Sequence, residues 1–541
     1  MPALRPCRCG PTGVDRRPAG PRWGGRGRAR DDRRRWLGMI ERLTVRSGAY
    51  RDSVTLMLAS QDAGAIAGVV HASAVSATPL NLELLELAGF GPGELEALEP
   101  TDLVVAVRAE DESAAAAALE AIEVRFAAHE TTEPAGLPPP RSLTAAVRRR
   151  PDASLAVISV PGEDAAHECS VAIEAGLHAF CFSSGFDVSV EAALKRRAVE
   201  RGLLLMGPDC GTAILDGIGI GFANEVRPGP VGIVGASGTG IQEVACLLDI
   251  AGVGISQAIG VGGRDLGAEV GATMSLRAIE LLAGDGATEV IVVIAKSPEP
   301  GAAGSVAAAA AATGKPAILC FPGLGDLVPG EDVEVVATLE EAARRAAIRS
   351  GASLHPPLVN APATRPGLIR GLFSGGTLRD EAFALLASAL AEAGEAPPLA
   401  LGREPRPEEE GRHLLIDYGS EALTRGRAHP MIDPTLRAAA LERAGARGEI
   451  SVLIVDVVLG RAAHDDPAAV LAPAISRMLS ARPGELAVVV SLCGAARDPQ
   501  GLDEQAARLA DAGAVVVRGN AQATRLAIAA AAGTTGEPAS A

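Results

Sequence analysis

Two stretches of this 541-residue chain carry the residue types that hold anions. The first is Gly235-Ala236-Ser237-Gly238-Thr239-Gly240, which follows the apolar run 230–234 and leads into a helical pattern from Ile241. Strand, glycine turn and helix together aim free backbone N–H groups and a helix N-terminus at one point, the geometry of a phosphate or carboxylate cradle. The second is Gly371-Leu372-Phe373-Ser374-Gly375-Gly376-Thr377, ahead of a helical pattern over 377–394. The candidate anion-binding residues are therefore Ser237, Gly238, Thr239 and Gly240 with Ser374, Gly375, Gly376 and Thr377. Tight βα turns need glycine even where nothing binds, so the neighbouring turns decide how much weight the pattern bears.

Those neighbours are Gly207-Pro208-Asp209-Cys210-Gly211, after a strand pattern at 203–206, and Gly260-Val261-Gly262-Gly263-Arg264-Asp265, after 255–259. Successive turns of this kind gather at the carboxyl edge of an open parallel sheet, where ligands bind. Asp209, Gly262, Gly263 and Asp265 become candidates for a substrate loop. Arg264 and Lys296 both fall at strand ends, where a cation can face an anion or simply be a solvated loop charge. The GGRD context favours the site for Arg264 and the solvated reading for Lys296.

The order GPDCG, GPVGIVGASGTGIQE, GVGGRD resembles the α subunit of succinyl-CoA synthetase, with its GPNCPG, GIVSRSGTL and GIGGD series, and is closer still to the FdrA family of acyl-CoA-synthetase-like proteins from Met39 onward. The resemblance implies an α/β protein. It comprises an N-terminal α+β domain, a partial Rossmann-like unit of CoA-binding type, and two flavodoxin-like lobes of succinyl-CoA-synthetase type. It also implies CoA, or an acyl or carbamoyl phosphate, as substrate rather than a tightly held cofactor, with no metal. The glycine-rich strand-turn-helix that opens the synthetase's CoA-binding domain has no counterpart before Leu155. The synthetase's phosphohistidine loop corresponds to PGLGDLVPGEDVEV here, and no histidine occurs between His178 and His355. The loop His429-Pro430-Met431-Ile432-Asp433-Pro434 also occurs in FdrA proteins; His429 is a candidate donor to a substrate carbonyl, or only orders its own loop.

The elements that must position these residues follow from periodicity and punctuation. Residues 1–38 are expected to be a disordered or non-native leader, and translation from Met39 fits the resemblance. Residues 39–129 should form the α+β domain, with strands near 40–46, 67–71 and 103–108 and helices near 53–60 and 81–87. A linker spans 130–152. The CoA-binding-like unit covers 153–228, the first lobe 229–350, and the second lobe 351–541 with its Pro-rich linkers. Strands 231–234, 255–259, 290–295, 317–321 and 333–336 give the first lobe a doubly wound pattern. A second round at 451–458, 486–492 and 514–518 reads as a pseudo-repeat.

Composition narrows the classes of function. Aromatics make up 2% and hydrophobic residues 48%, which suits Ala, Val, Leu and Ile cores of helices covering parallel sheets. The leader holds eleven Arg against three Asp, so the formal net charge of −16 becomes −24 for the rest, which argues against nucleic acid. No apolar run is long enough to span a bilayer. Eight unpaired-looking cysteines suit a reducing cytoplasm. The functional expectation is a subunit serving group transfer around an acyl phosphate, in an oligomer with companion subunits and a small anionic substrate. FdrA-type proteins have been linked to oxamate carbamoyltransferase in allantoin catabolism. The alternatives are an acid–thiol ligase whose nucleotide site comes from a partner, and a non-catalytic anion-binding scaffold.

Overall fold

The computed structural model describes residues 39–49, 51–91, 95, 98–131, 139–322, 324, 327, 330–355, 357, 359–392, 399–401 and 411–533. The proposed leader 1–38 and residues 132–138 of the proposed linker at 130–152 lie outside them; the rest of that stretch includes helix Leu143–Arg149. The chain divides into two compact units, residues 1–131 and 132–541.

In the first unit the apolar strand Leu103–Ala109 (LVVAVRA) is buried at every position and pairs antiparallel with Ile40–Arg46 on one side and Val69–Ser76 on the other. Helix Ser53–Gly64 starts where the Asp52 carboxylate accepts from Val54 N and Thr55 N. Its partner Glu112–Thr131 carries the run ESAAAAALEAIE and was not expected from sequence, because an alanine-rich helix shows little amphipathic period. The second strand also starts later and runs longer than the 67–71 expected.

The second unit opens with a three-stranded parallel sheet, Leu155–Ile158, His178–Cys181 and Leu205–Met206 in that order, covered by helices Gly162–Glu174 and Val188–Glu200. The next sheet has seven strands. Its core is Val333–Val336, Ala317–Cys320, Val290–Ile294, Pro228–Gly235 and Ile255–Gly260, which in chain order is the 2-1-3-4-5 arrangement of a flavodoxin-like fold. A hairpin, Thr212–Leu215 with Ile218–Gly221, extends it antiparallel. Its two-residue turn is Asp216-Gly217, both at positive φ (49° and 76°), a hairpin signal that the sequence reading passed over.

The six-stranded sheet is parallel throughout: Leu399–Leu401, Leu414–Asp417, Leu368–Phe373, Ile450–Val458, Ala487–Cys493 and Val515–Val517. Apart from the edge strand Leu399–Leu401, this repeats the first lobe's order, so the pseudo-repeat is real at the level of topology. The two lobes share one hydrophobic core. Ile241, Val244 and Leu248 of helix Gly238–Ile250 belong to the same cluster as Leu378 and Ala382 of helix Gly376–Glu392 and Leu526 of helix Asn520–Ala531.

The lobes also cap one another's helices. Glu243, on the first lobe's leading helix, accepts from Asn520 N (2.8 Å) at the start of the second lobe's last helix. Glu381, at the matching position of the second lobe's leading helix, accepts from Leu339 N (2.6 Å) at the start of the first lobe's last helix, Leu339–Arg349, and from Asn520 Nδ2 (2.7 Å). Each carboxylate satisfies an N–H that its own helix leaves without an internal partner.

Candidate functional site

The two glycine turns meet. Ser237 caps the first leading helix by accepting from Gly240 N (3.0 Å), and its Oγ lies 2.5 Å from Thr377 Oγ1 of the second. A Cβ on Gly375 would stand 2.8 Å from the Thr239 side chain. Among the described residues the Gly238 and Thr239 N–H groups have no acceptor, so the first turn keeps an open pair of donors at a positive helix end.

The second turn is already filled. The buried Asp456 carboxylate, in the middle of strand Ile450–Val458, accepts from Ser374 N (2.7 Å), Ser374 Oγ (3.0 Å) and Gly375 N (2.8 Å), and it pairs with buried Arg437. Ser374 and Gly375 therefore hold a carboxylate of the protein itself, and the expectation that they cradle a ligand is corrected. Asp265 needs the same correction. It is fully buried, accepts from Met274 N (3.1 Å), Ser275 N (2.8 Å) and Ser275 Oγ (2.7 Å), and pairs with Lys195 Nζ (2.9 Å). Its carboxylate is taken up by the start of helix Thr273–Gly284 and by Lys195.

Arg264 stays at the surface of the site, and its orientation is fixed from behind. Its side chain is 46% exposed, its NH2 meets fully buried Glu191 Oε2 at 2.8 Å, and NH1 donates to Phe186 O at 3.1 Å. Glu191 in turn pairs with Lys195 Nζ at 2.8 Å, so three charged side chains with no exposure (Glu191, Lys195, Asp265) stand behind one half-exposed guanidinium.

A cavity of about 290 Å³ opens at the carboxyl ends of the central strands, lined by Ala236, Arg264, Leu266, Val270, Lys296 and Pro298 among others. This is the switch point of the doubly wound sheet, where the first and third strands of the lobe lie side by side. Lys296 lines the same cavity as Arg264 and reaches the second lobe, with Nζ 3.6 Å from Asp380 Oδ2. Asp209 stands near Gly263, exposed yet walled by protein, as at the floor of a cleft. Burial pushes its carboxyl above the ordinary value, and Lys296 and Arg264 pull it back.

His429 also reaches this region. Its Nδ1 accepts from Met431 N (3.3 Å), its ring lies 5.3 Å from that of Phe222, and a Cβ on Gly419 would sit 2.7 Å from Nε2 and 2.5 Å from Ser374 O. Burial and nearby Arg437 lower its pKa to about 4, so it is neutral near pH 7 and can donate from Nε2. Two residues central to the site escaped the sequence reading. Asp417 ends strand Leu414–Asp417, and Asp456 interrupts the otherwise apolar VLIVDVVL. A lone carboxylate inside an apolar strand implies a buried partner, and that signal was available. Lys296, expected as a solvated loop charge, is half-exposed but also lines the cavity and reaches Asp380 of the second lobe.

Substituting Gly376→Ala tests the crowding at the second turn. The new methyl would meet Lys296 Nζ and Asp417 Oδ2 at 2.7 Å each. Both are side-chain ends that can swing aside, so the melting temperature should hardly change while any activity of the site falls. A large drop in melting temperature would show that the glycine serves the fold instead.

Three family models match the chain: a CoA binding domain over residues 226–323, a CoA-ligase over 372–530, and an AllF heavy metal-associated domain over 39–138. The last raises the question of a metal. Residues 39–138 contain no cysteine, and His71 is buried beside Arg108, which with burial lowers its pKa to about 4. No group of three His, Cys, Asp or Glu side chains comes together among the described residues. Among the described residues the donor set does not suit a heavy metal. Among the described residues, no helix is long and apolar enough to cross a membrane.

The α subunit 2 of an ADP-forming succinate–CoA ligase from Archaeoglobus fulgidus is 34% identical over 30% of this chain and 56% of its own length. Among solved structures, the dinucleotide-forming acetyl-coenzyme A synthetase 1 of Ca. Korarchaeum cryptofilum, with phosphate and ADP, matches at 16% identity, covering 70% of this chain and 82% of its own, with a TM-score of 0.28. The protein YahF of Escherichia coli (strain K12) is 36% identical over 497 residues, covering 88% of this chain and 96% of its own. Identity of that extent, together with the CoA-binding and CoA-ligase matches over its two lobes, makes the chain a member of the YahF family of FdrA-like proteins, within the acyl-CoA synthetase and succinyl-CoA ligase superfamily.

Proposed function

We propose that the chain serves the transfer of an acyl group from or to phosphate, as the substrate-binding subunit of a carbamoyltransferase that uses carbamoyl phosphate and oxamate with companion subunits. The observation that carries this reading is the 290 Å³ cavity, lined by Arg264, by Lys296 and by Ala236 of the first glycine turn, which leads into the helix that starts at Gly238. That volume suits small metabolites, and two cations with a helix N-terminus suit an acyl phosphate together with a carboxylate. The phosphate leaves with an electron pair, and fixed positive groups lower the cost of the charge that develops on it. Neutral His429 is a donor for the carbonyl oxygen. The first lobe has no histidine, so a phosphoenzyme there is not part of the reading.

The matches to CoA-binding and CoA-ligase models favour a second reading, an acid–thiol ligase whose nucleotide site and phosphocarrier come from a partner. One experiment separates the two. The full chain with its co-purifying subunits is given carbamoyl phosphate with and without oxamate, and phosphate release is measured. Oxamate-dependent release is expected, and Arg264→Ala should lower its kcat/KM by about 100-fold or more. If instead ATP, CoA and a small carboxylate yield ADP and a thioester while carbamoyl phosphate is inert, the ligase reading stands and the carbamoyl reading is wrong.

A further inference from the structure

Lys296 and Asp417 belong to different lobes, yet their charged ends flank one glycine. A Cβ on Gly376, the first residue of the second leading helix, would stand 2.7 Å from Lys296 Nζ and 2.7 Å from Asp417 Oδ2. The other carboxylate oxygen, Oδ1, is anchored by Gly419 N at 2.9 Å. Asp417 is thus a half-buried carboxyl held through one oxygen, with its second oxygen beside Gly376 at the point that Lys296, a residue of the cavity wall, also reaches. Among the described residues Asp417 is not tied into the fold by several buried hydrogen bonds as Asp456 and Asp265 are; its carboxylate accepts from Gly419 N.

A carboxylate present only as the counter-ion of Lys296 would sit below the ordinary carboxylate range. Burial instead pushes Asp417 up to about 6, over the opposing pull of Lys296, Arg379 and the Gly419 N–H, and Asp456 adds to the rise. His429, whose Nε2 would meet the same Cβ on Gly419 as Asp417 Oδ1 (2.7 and 3.2 Å), is neutral near pH 7 and adds no charge. A group poised near neutrality beside a substrate cation is suited to move a proton.

We propose that Asp417 is the base of the transfer step, and that the acceptor is accordingly a small carboxylate attacking through a nitrogen that bears hydrogen, with its own carboxylate on Arg264. This rests on the acyl-phosphate reading above. The acceptor nitrogen forms the N–C bond to the carbonyl carbon, and the bond from that carbon to the bridging phosphate oxygen breaks, with its electron pair leaving on phosphate. The proton lost by nitrogen passes to Asp417 and then to the departing phosphate, which leaves as hydrogen phosphate. An acceptor attacking through a carboxylate oxygen loses no proton and needs no base. A carboxyl maintained near neutrality therefore separates nitrogen acceptors from oxygen acceptors.

The test is Asp417→Asn in the full chain with its companion subunits, given carbamoyl phosphate and oxamate across the neutral pH range. The expected result is a fall in kcat of about 100-fold or more, with KM for carbamoyl phosphate within about twofold of the wild type. The acidic limb of the wild-type kcat/KM profile, near pH 6, should disappear. Asp417→Glu should recover part of the rate, and an unchanged melting curve for both variants guards against misfolding. Retention of the wild-type rate and of the acidic limb by Asp417→Asn overturns the proposal while leaving the acyl-phosphate reading intact. A wild-type protein that transfers to no nitrogen acceptor sinks that reading and this proposal with it.

Discussion

Asp456→Ala is expected to destabilise the second unit by about 3–5 kcal/mol, read as a lowered urea midpoint at unchanged slope. The magnitude follows from what the carboxylate holds. Arg437 is 2% exposed and would keep its charge with its buried acidic partner gone. Ser374 N and Gly375 N, which now donate to Asp456 at 2.7 and 2.8 Å, would lose their acceptor inside the protein. Replacing both charges by apolar residues, Asp456→Leu with Arg437→Met, should recover part of the loss, because the desolvation cost of the ion pair disappears along with its attraction. A loss below about 1 kcal/mol for Asp456→Ala would mean that water takes the carboxylate's place, and the turn would then be open to ligands after all.

Stability should also fall as pH rises through neutrality. Burial pushes Glu243 to about 8 and Glu381 to about 7, against an ordinary value of 4.5. Glu340 raises both further, and Asn520 and Leu339 N–H groups oppose the shift. Between the ordinary value and the raised one, the folded protein binds protons that the unfolded chain has released. Each site is then a gain kept in full below about pH 4.5 and lost through about 7 for Glu381 and about 8 for Glu243. Each contributes up to about 1.4 kcal/mol per pH unit inside its window. Denaturant titrations at a series of pH values should show the slope, and Glu243→Gln with Glu381→Gln should flatten it. Stability that rises across the same range would contradict the burial of these two carboxyls in protonated form.

Much of the architecture was legible because its signals are local. An apolar run, a glycine turn and a helical pattern recur after 230–234 and after Phe373, and both turned out to begin doubly wound lobes. The Glu112–Thr131 helix was less legible, since alanine on every face leaves no period to detect. The site was legible only in part. Ser237, Gly238, Thr239, Arg264 and Asp209 lie where strand-end turns place them, but the roles of Asp265 and Ser374 depend on Lys195 and Asp456, 70 and 82 residues away in the chain. Nothing in a turn's own sequence says that a distant carboxylate will occupy it, or that a distant lysine will claim its acid. Asp417 and Lys296 come together only because the lobes dock, which no single stretch encodes.

The exchange of caps between the lobes bears on autonomy. The last helix of each half starts at an N–H whose acceptor is carried by the other half: Glu381 serves Leu339, and Glu243 serves Asn520. The connecting stretch near 351–366 can therefore be severed in topology but not in energy. Fragments made by scission there are expected to be unstable apart and to reassociate when mixed, since each carries an acceptor and part of a core that the other needs.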